Sequence, residues 1–549
     1  MAFFEKVIIL CLDGLPYALL ERFALKWELG NFIKLKSQSS WAKGLVAPPP
    51  DATTPPAFAC LFCGCPAVVH NIVSFEEPEV VYGGIHPWKK VLGFNARNLK
   101  AEPLWVSFLK AGKCVVMLHF PLSVPIAPYT EEKLFGKDFS EALIVFESFS
   151  QNLASELVVK AGDVGEKIKI KTKSGEELEL SPNLSTSFQP VIFEEKQAGV
   201  YVVHLAGEAD SERIFITNLN RVFCNHKELA EKYLDFAGPF VGNAGVFSYW
   251  KGLLGKPVYE GGSGKAEEML RSLLGLVGRH FYRAVEFALE KLSADVYFLY
   301  YPGIDLVLHL FTGWLDEQNP QSSPEIKEKL WQVVEEMFKW ADKIVGLCLE
   351  RAGEGSLLAV VSDHGMAPVF STFYPNQVLL ERGLLFWDEK NSMPELDRSQ
   401  AIYHQSNSGY IVINTKARGG IVEDEKAGEL ARKVASIFEE YVGEILQEVV
   451  LVSESKDIPY RGEIYLVPRY RIGFSHKVEG KIYQKGTYAG QHHYWQEAEP
   501  MWAVLFLKGK SIPLGKELKR CSHLDVAPTL AQLCDIPTPS KSVAQPINF

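Results

Sequence analysis

Short apolar runs, separated by segments with helical periodicity, constrain the fold of this chain most strongly. The clearest are Val7–Leu12, 114–118, 295–301, Leu357–Val361 and 501–507. Each run is almost uniformly apolar and too short to cross a bilayer, which is typical of a strand buried on both faces. Such strands in alternation with helices predict an α/β fold, with a mainly parallel central sheet flanked by helices.

Two stretches depart from this pattern and are predicted to be insertions into the core. Residues 151–235 contain alternating segments around a Ser174-Gly175 turn, which indicates an antiparallel β module. Residues 381–485 combine a strand at 409–414 with an amphipathic helix, which indicates an α+β insertion that acts as a cap or lid. The apolar face of that helix consists of Leu430, Val434, Ile437, Tyr441 and Ile445. The core is then divided into three parts, 1–150, 236–380 and 486–549.

Metal-ligand residue types follow two of the predicted strands. Asp13 comes directly after Val7–Leu12, and Asp363-His364 follows Leu357–Val361. Ligands of open parallel sheets bind at the carboxyl ends of the strands, although an aspartate there can also be a simple cap. Neighbouring side chains of a strand point to opposite faces, so Asp363 and His364 converge only if the backbone leaves the sheet. Gly365 is expected to provide the freedom to turn at that point.

Two more groups of candidate ligands lie between and after these strands. Asp305 and His309 are four residues apart after the strand at 295–301, so a helical turn there places both side chains on one face. His492 and His493 follow Gly490 on a predicted loop. From the residues alone, either histidine of that pair can be the ligand.

The segment 48–58 is rich in proline and contains Thr54 followed by Pro55 and Pro56. Proline is favoured at the start of a helix, so Thr54 is expected in an extended conformation at the mouth of a helix that runs towards Cys63. A hydroxyl there meets the positive end of the helix dipole and free backbone N–H groups, which suits a phosphate-like anion. The alternative is that Thr54 is only an N-cap.

Composition narrows the class of protein. The net charge of −10 and the pI near 5.8 argue against a nucleic-acid-binding surface. No segment has the length of uninterrupted apolar sequence that a membrane helix needs, and the N-terminal run reads as a strand, so no membrane association is expected. Nine scattered cysteines indicate reduced thiols and a cytoplasmic protein.

Five motifs in this order resemble the alkaline phosphatase superfamily, and within it the branch of type I phosphodiesterases and nucleotide pyrophosphatases. They are Asp13-Gly14, Thr54-Pro55-Pro56 with Gly64, Asp305-x-x-x-His309, Ser362-Asp363-His364-Gly365-Met366 and Gly490-x-His492. The resemblance implies an alkaline phosphatase-like core and two divalent metal ions, zinc first and manganese as the alternative. It also implies a small-molecule phosphoester substrate, with nucleotides among the candidates. It leaves the oligomeric state open.

The resemblance assigns one ion to Asp13, Thr54, Asp363 and His364, and the other to Asp305, His309 and His492. Thr54 would attack phosphorus and form a covalent phospho-threonine, and its distance to Gly64 favours it over Thr53. The chain departs from the family at Ala57, where an asparagine is usual, and at His493, where a glycine is common. The implied activity is hydrolysis of a phosphodiester or pyrophosphate; the alternatives are a phosphomutase and a metal-binding relative without turnover.

Overall fold

The computed structural model describes twelve stretches of the chain. These are residues 4–48, 50, 52–81, 84–131, 135–147, 152–164, 167–180, 187–193, 196–205, 212–406, 408–494 and 498–549.

A ten-stranded sheet forms the centre of the described structure. Its order is Phe223–Cys224, Leu143–Glu147, Val115–Leu118, Val296–Tyr301, Val7–Leu12, Leu357–Val361, Ala503–Lys508, Ser40–Val46 and Glu517–Leu518, with Cys521–Ser522 also paired to Ser40–Val46. The strands from Leu143–Glu147 to Leu357–Val361 are parallel, whereas Ala503–Lys508 is antiparallel to both neighbours. The α/β prediction with a mainly parallel sheet is confirmed, and the predicted apolar runs form its middle.

Both faces of this sheet are covered by helices, which explains why its strands are apolar throughout. Ile8 and Leu10 point to one face, where the helices Gly30–Gln38, Lys265–Lys291, Gly303–Leu315 and Pro324–Arg351 pack. Ile9 and Cys11 point to the other face, which is covered by Thr54–Cys63, Leu104–Lys110 and Val526–Leu533. Alternate residues of one strand therefore belong to two separate cores.

The first predicted insertion contains an antiparallel sheet of six strands. They are Asn152–Ala154, Leu157–Lys160, Ser187–Phe193, Lys196–Leu205, Arg213–Ile216 and Leu219–Asn220. The predicted hairpin pairs Ile168–Lys171 with Glu177–Leu180. The next strand, Phe223–Cys224, already belongs to the central sheet, so the sheet of this module ends well before residue 235.

The second predicted insertion contains a four-stranded sheet and one helix. The strands are Ala401–Tyr403, Tyr410–Ile413, Leu446–Leu451 and Ile464–Pro468, and the helix is Ala427–Glu439. The helix ends before Tyr441 and Ile445, which were predicted to continue its apolar face. Gly443 has a φ of 97°, which turns the chain there, and Phe438 completes the buried stripe instead.

A three-stranded sheet connects this insertion to the core. Ala367–Phe373 pairs antiparallel with Tyr483–Gln491 and parallel with Ile472–Phe474. The strand that follows His364 is therefore bonded to the strand that leads to His492. This pairing brings together two candidate ligands that are more than a hundred residues apart in the chain.

Smaller elements complete the described structure. The helices are Tyr17–Phe23, Ala67–His70, Ala127–Thr130, Lys227–Ala237, Val246–Trp250 and Pro375–Glu381, and the remaining strand pairs are Glu76–Val81 with Gly84–Leu92 and Trp387–Asp388 with Met393–Pro394. Among the described helices, none has both the length and the apolar composition needed to cross a membrane.

Candidate active site

One group of candidate ligands lies where the first strand and Leu357–Val361 end side by side. Nε2 of His364 is 3.4 Å from Oδ1 of Asp13 and 3.3 Å from Oδ2 of Asp363. The backbone has left the sheet at Ser362, so Asp363 and His364 converge as predicted. All three residues are buried.

A second group forms on the helix Gly303–Leu315 and the end of Tyr483–Gln491. Oδ1 of Asp305 is 3.3 Å from Nε2 of His309, one helical turn away, and 3.7 Å from Nε2 of His492. The two histidine Nε2 atoms are 3.1 Å apart. Nδ1 of His309 donates to the carbonyl of Gly490 at 2.8 Å, which turns its Nε2 towards Asp305.

The two groups are adjacent. The rings of His364 and His492 stack with centroids 3.6 Å apart and an angle of 11° between their planes. The candidate ligand atoms of Asp305, His364 and His492 lie within 4.8 Å of one another, as do those of Asp13, Asp363 and His364. His364 thus belongs to both clusters, and the structure brings together residues from four separate segments.

Two glycines make this close approach possible. Gly14 has a φ of 64°, and a Cβ there would lie 2.8 Å from Cβ of Asp305. Its N–H donates to Oδ1 of Asp363 at 3.1 Å, which ties the first strand to the 362–366 segment. Gly365 has no left-handed backbone, contrary to the prediction of a free turn. A Cβ at Gly365 would lie 2.0 Å from the carbonyl of Pro500, so this glycine is required for space.

Thr54 completes the first group. It is buried, and its Oγ1 lies 3.4 Å from Nε2 of His364. Thr54 is the first residue of its helix, and the extended residue is Thr53, one position earlier than predicted. Prolines at positions 55 and 56 are tolerated because the first N–H groups of a helix have no intrahelical partner.

The helix that starts at Thr54 offers fewer anion contacts than predicted. Pro55 and Pro56 have no N–H group, and the N–H of Ala57 donates to the carbonyl of Thr53 at 3.1 Å. Ala57 also lacks the amide group of the asparagine that is usual at this position in the family that the sequence resembles. The charge of a bound phosphoryl group must therefore be neutralised mainly by groups other than the N-terminus of this helix.

The buried carboxylates dominate the electrostatics of the site. Burial and the neighbouring Asp363 and Asp305 raise the pKa of Asp13 well above its ordinary value. Burial raises the pKa of Asp363 to about 7. Burial would also raise the pKa of Asp305, but His309 lowers it. The protein alone supplies too little positive charge for three carboxylates at one place.

The histidines respond in opposite ways. Loss of hydration around its partly buried ring opposes protonation of His309, yet Asp305 and the Gly490 carbonyl raise its pKa to about 9. Burial and the nearby His364 and His309 hold the pKa of His492 well below its ordinary value. His492 is therefore poised as a neutral imidazole, the form that binds a metal.

The residues fit divalent cations. Oδ1 of Asp13, Oδ1 of Asp305 and Oδ2 of Asp363 are buried without a hydrogen-bond partner among the described residues. Ligand atoms about 2.0–2.1 Å from one tetrahedral zinc ion are about 3.4 Å apart. The distances within each group, 3.3–3.4 Å around His364 and 3.1–3.7 Å around Asp305, match this spacing.

Sequence reasoning missed two residues that hold the ligands. The hydroxyl of Tyr300 donates to Oδ2 of Asp13, and Nε2 of His523 donates to the carbonyl of Asp363. Tyr300 was visible only as part of an apolar strand, and its position before the strand end was the available signal. His523 lies far along the chain in a segment without a motif, so no local signal pointed to it.

The structure distinguishes the two histidines of the 492–493 pair. His492 is buried against both groups, whereas the ring of His493 lies parallel to it with centroids 5.6 Å apart, on the side of the second insertion. We expect His492→Ala to lower the bound metal by about one ion per chain, measured by mass spectrometry of the metal content. The matched variant His493→Ala should keep the wild-type content. Loss of metal only in His493→Ala would reverse the assignment.

The central sheet and the helices that flank it define the fold class. The fold is alkaline phosphatase-like: a mutant of the alkaline phosphatase PafA superposes with a TM-score of 0.53 at 13% identity, over 100% of this chain and 99% of that chain. Wild-type PafA gives 0.51 at 12% identity, over 100% and 99% of the chains. Murine ectonucleotide pyrophosphatase/phosphodiesterase 5 gives 0.49 at 13%, over 99% and 98%.

The sequence narrows the class to one family. The family model described as type I phosphodiesterase / nucleotide pyrophosphatase matches residues 7–495, and the chain belongs to this family. The matched range contains Thr54 and all the candidate ligands from Asp13 to His492. The comparison with curated proteins finds no match. By its family the chain is thus a phosphoesterase, and its fold is alkaline phosphatase-like.

Proposed function

We propose that this protein is a phosphohydrolase with two divalent ions that cleaves a phosphodiester or pyrophosphate bond through Thr54. The observation that carries the proposal is the position of the Thr54 hydroxyl, 3.4 Å from Nε2 of His364 at the edge of the first group. A threonine that served only as a helix cap would bond a backbone N–H, and Thr54 stands one residue past the cap position.

The candidate ligands divide into two sets. Asp13, Thr54, Asp363 and His364 would hold one ion, and Asp305, His309 and His492 would hold the other. Mixed carboxylate and imidazole donors suit zinc, with manganese as the alternative. When bound, the ions lower the pKa of a hydroxyl or water beside them and neutralise charge on phosphoryl oxygens.

The reaction has two displacements at phosphorus. Deprotonated Oγ1 of Thr54 forms a bond to phosphorus while the bond to the leaving oxygen breaks, and the leaving group departs and takes up a proton. Water then adds to phosphorus, the bond to Thr54 breaks, and Oγ1 regains a proton. Tyr300 and His523 keep Asp13 and Asp363 in place during both steps. His309 is part-exposed, which leaves the site open to water.

The substrate is proposed to be a small-molecule phosphoester, with nucleotides among the candidates, and the protein to act in the cytoplasm. All nine cysteines are free thiols in the structure, which supports a reducing compartment.

A phosphomutase is the second candidate, because the second insertion packs against the segment that carries Thr54. The hydroxyl of Tyr465 donates to the carbonyl of Pro50 at 3.0 Å, and Nη2 of Arg461 donates to the carbonyl of Asn71 at 2.9 Å. Such a cover can shield a phospho-enzyme from water.

Turnover in water enriched in ¹⁸O separates the two activities. For the hydrolase we expect one solvent oxygen in each phosphoryl product, because water attacks the phospho-threonine. Mass spectrometry of the product measures this incorporation, with product incubated in the same water as the control for exchange. A phosphoryl product without solvent oxygen, accompanied by an isomer of the substrate, would establish the mutase instead.

A further inference from the structure

A group of exposed apolar side chains lies on the short helix Val246–Trp250 and the turn that follows it. The side chains of Phe247, Trp250 and Leu253 are 51%, 70% and 49% exposed, and no described aromatic residue is more exposed than Trp250. Phe247 and Trp250 are three residues apart on the helix, so their side chains are neighbours on its surface. These three side chains form an apolar tip, and large apolar side chains grouped in solvent usually mark a binding surface.

The backbone of the tip has a defined geometry. Gly252, two residues after the helix, has a φ of 70°, and its N–H donates to the carbonyl of Tyr249 at 2.9 Å. The N–H of Leu253 donates to the carbonyl of Ser248, also at 2.9 Å. These two bonds form a Schellman turn, which ends the helix and fixes the backbone position of Leu253.

Two carboxylates hold the base of the tip. Glu267 is buried, and its Oε1 accepts from the hydroxyl of Tyr249 at 2.5 Å and from the N–H of Val258 at 2.9 Å. Oε1 of Glu156 accepts from the N–H of Ser248 at 3.1 Å and from its hydroxyl at 2.6 Å. The apolar side chains are therefore held in solvent by an ordered base, which is the arrangement of a preformed binding surface.

The segment that forms the tip is positively charged, although the whole chain has a net charge of −10. Residues 236–259 contain no aspartate or glutamate, and their charged side chains are Lys251 and Lys256. Both lysines are exposed, and they stand on either side of Leu253 in the sequence. An anionic partner is therefore complementary to this segment.

The size of the tip favours a membrane over a second protein surface. Three fully exposed side chains of this kind would offer about 600 Å² together, and these three are only partly exposed. A stable protein–protein interface needs about 800 Å² from each partner. A bilayer surface needs less, because a few apolar side chains enter the headgroup boundary while lysines contact anionic headgroups.

We propose that the apolar tip inserts into the surface of a membrane that contains anionic lipids, while Lys251 and Lys256 contact the headgroups. A surface contact of this kind needs no membrane-spanning segment, so it replaces the expectation from the sequence that no membrane is bound. The ring of Tyr249, at the base of the tip, packs on Phe311 of the helix Gly303–Leu315 with centroids 5.6 Å apart. The tip is thus joined to the helix that carries two candidate metal ligands. The inference is independent of the proposed function, because it concerns binding and not turnover.

Sedimentation of the whole chain with lipid vesicles tests the proposal. One set of vesicles contains phosphatidylcholine and phosphatidylserine at about 2:1, and the other contains phosphatidylcholine alone. Wild type should bind the mixed vesicles about 30-fold more tightly, the scale of two lysines near an anionic surface. Equal binding to both sets, or binding to neither, would overturn the proposal.

Substitutions locate the contact at the tip. Trp250→Ser should weaken binding to the mixed vesicles at least about tenfold, the scale of burying one large apolar side chain. Lys251→Gln combined with Lys256→Gln should remove the preference for anionic lipid. The matched control is Leu514→Ser, which changes a side chain that is 71% exposed on another segment and should bind like wild type. Each variant should keep the Tm of wild type, which shows that it is folded. Wild-type binding by Trp250→Ser and by the lysine variant would overturn the proposal.

Analytical ultracentrifugation without vesicles separates a membrane contact from a contact between two copies of this chain. Wild type and Trp250→Ser should have the same oligomeric state, because the tip is expected to bind lipid. A wild-type dimer that Trp250→Ser dissociates, together with no binding to vesicles, would assign the tip to a second copy and overturn the membrane contact.

Discussion

Thr54→Ala is expected to lower kcat/KM for phosphodiester hydrolysis by at least about 1,000-fold, the scale of losing a nucleophile. Alanine removes the only atom of residue 54 that can bond to phosphorus, and it also removes a candidate ligand of the first ion. The measurement is the initial rate with a chromogenic phosphodiester in the presence of zinc or manganese. Wild type quenched in acid during turnover should carry a phosphoryl group on Thr54, detected by peptide mass spectrometry.

Thr53→Ala is the matched control for this prediction. Thr53 is the adjacent threonine, and its side chain makes no cap hydrogen bond to the helix. Its replacement should leave the rate within about threefold of wild type, because the proposed attack on phosphorus uses only the hydroxyl of residue 54. If Thr54→Ala keeps more than a tenth of the wild-type rate, or if the phosphoryl group is found elsewhere, the proposed role of Thr54 is wrong. Bound metal without turnover on any phosphoester in wild type would favour the non-catalytic relative.

Removal of divalent ions is expected to abolish turnover and to lower the thermal stability. Asp13, Asp305 and Asp363 have buried carboxylate oxygens without a hydrogen-bond partner among the described residues, and they repel one another. Ions at about 100 times their Kd would stabilise the folded chain by about 2.7 kcal/mol each. Dialysis against a chelator followed by calorimetry measures the fall in Tm, and added zinc or manganese should restore both Tm and rate.

A pair of substitutions ties this effect to the site. Asp363→Asn should reduce the metal content of the protein. The fall in Tm that the chelator causes should then be smaller in this variant than in wild type. Asp316→Asn is the control, because Asp316 is paired with Arg471 at 3.3 Å outside the site. A chelated protein with unchanged rate and Tm would contradict the two-ion proposal.

Much of the fold could be predicted because its determinants are local. A strand buried on both faces must be apolar at every position, so Val7–Leu12 and Leu357–Val361 were recognisable without any partner. The end of a helix was harder to predict from the sequence. Tyr441 and Ile445 continue the apolar pattern of the helix Ala427–Glu439, but the helix ends before them and the chain turns at Gly443.

The candidate site was predictable to the extent that its residues stand at strand ends or at helical spacing. Asp305 and His309 meet on one helical turn as their spacing requires. The choice between His492 and His493 was not local, because it depends on how Tyr483–Gln491 pairs with Ala367–Phe373. Tyr300 and His523 support their aspartates through contacts that no spacing in the chain encodes.

The sequence by itself determined the buried strands, the α/β class and the set of metal-ligand residue types, because each depends on residues close together in the chain. Only the tertiary structure decided that Thr54 and His364 lie 3.4 Å apart, that Gly365 is needed for space, and that Tyr465 of the second insertion bonds to the carbonyl of Pro50. These features join segments that are far apart in the chain, and the packing that joins them depends on the whole chain at once.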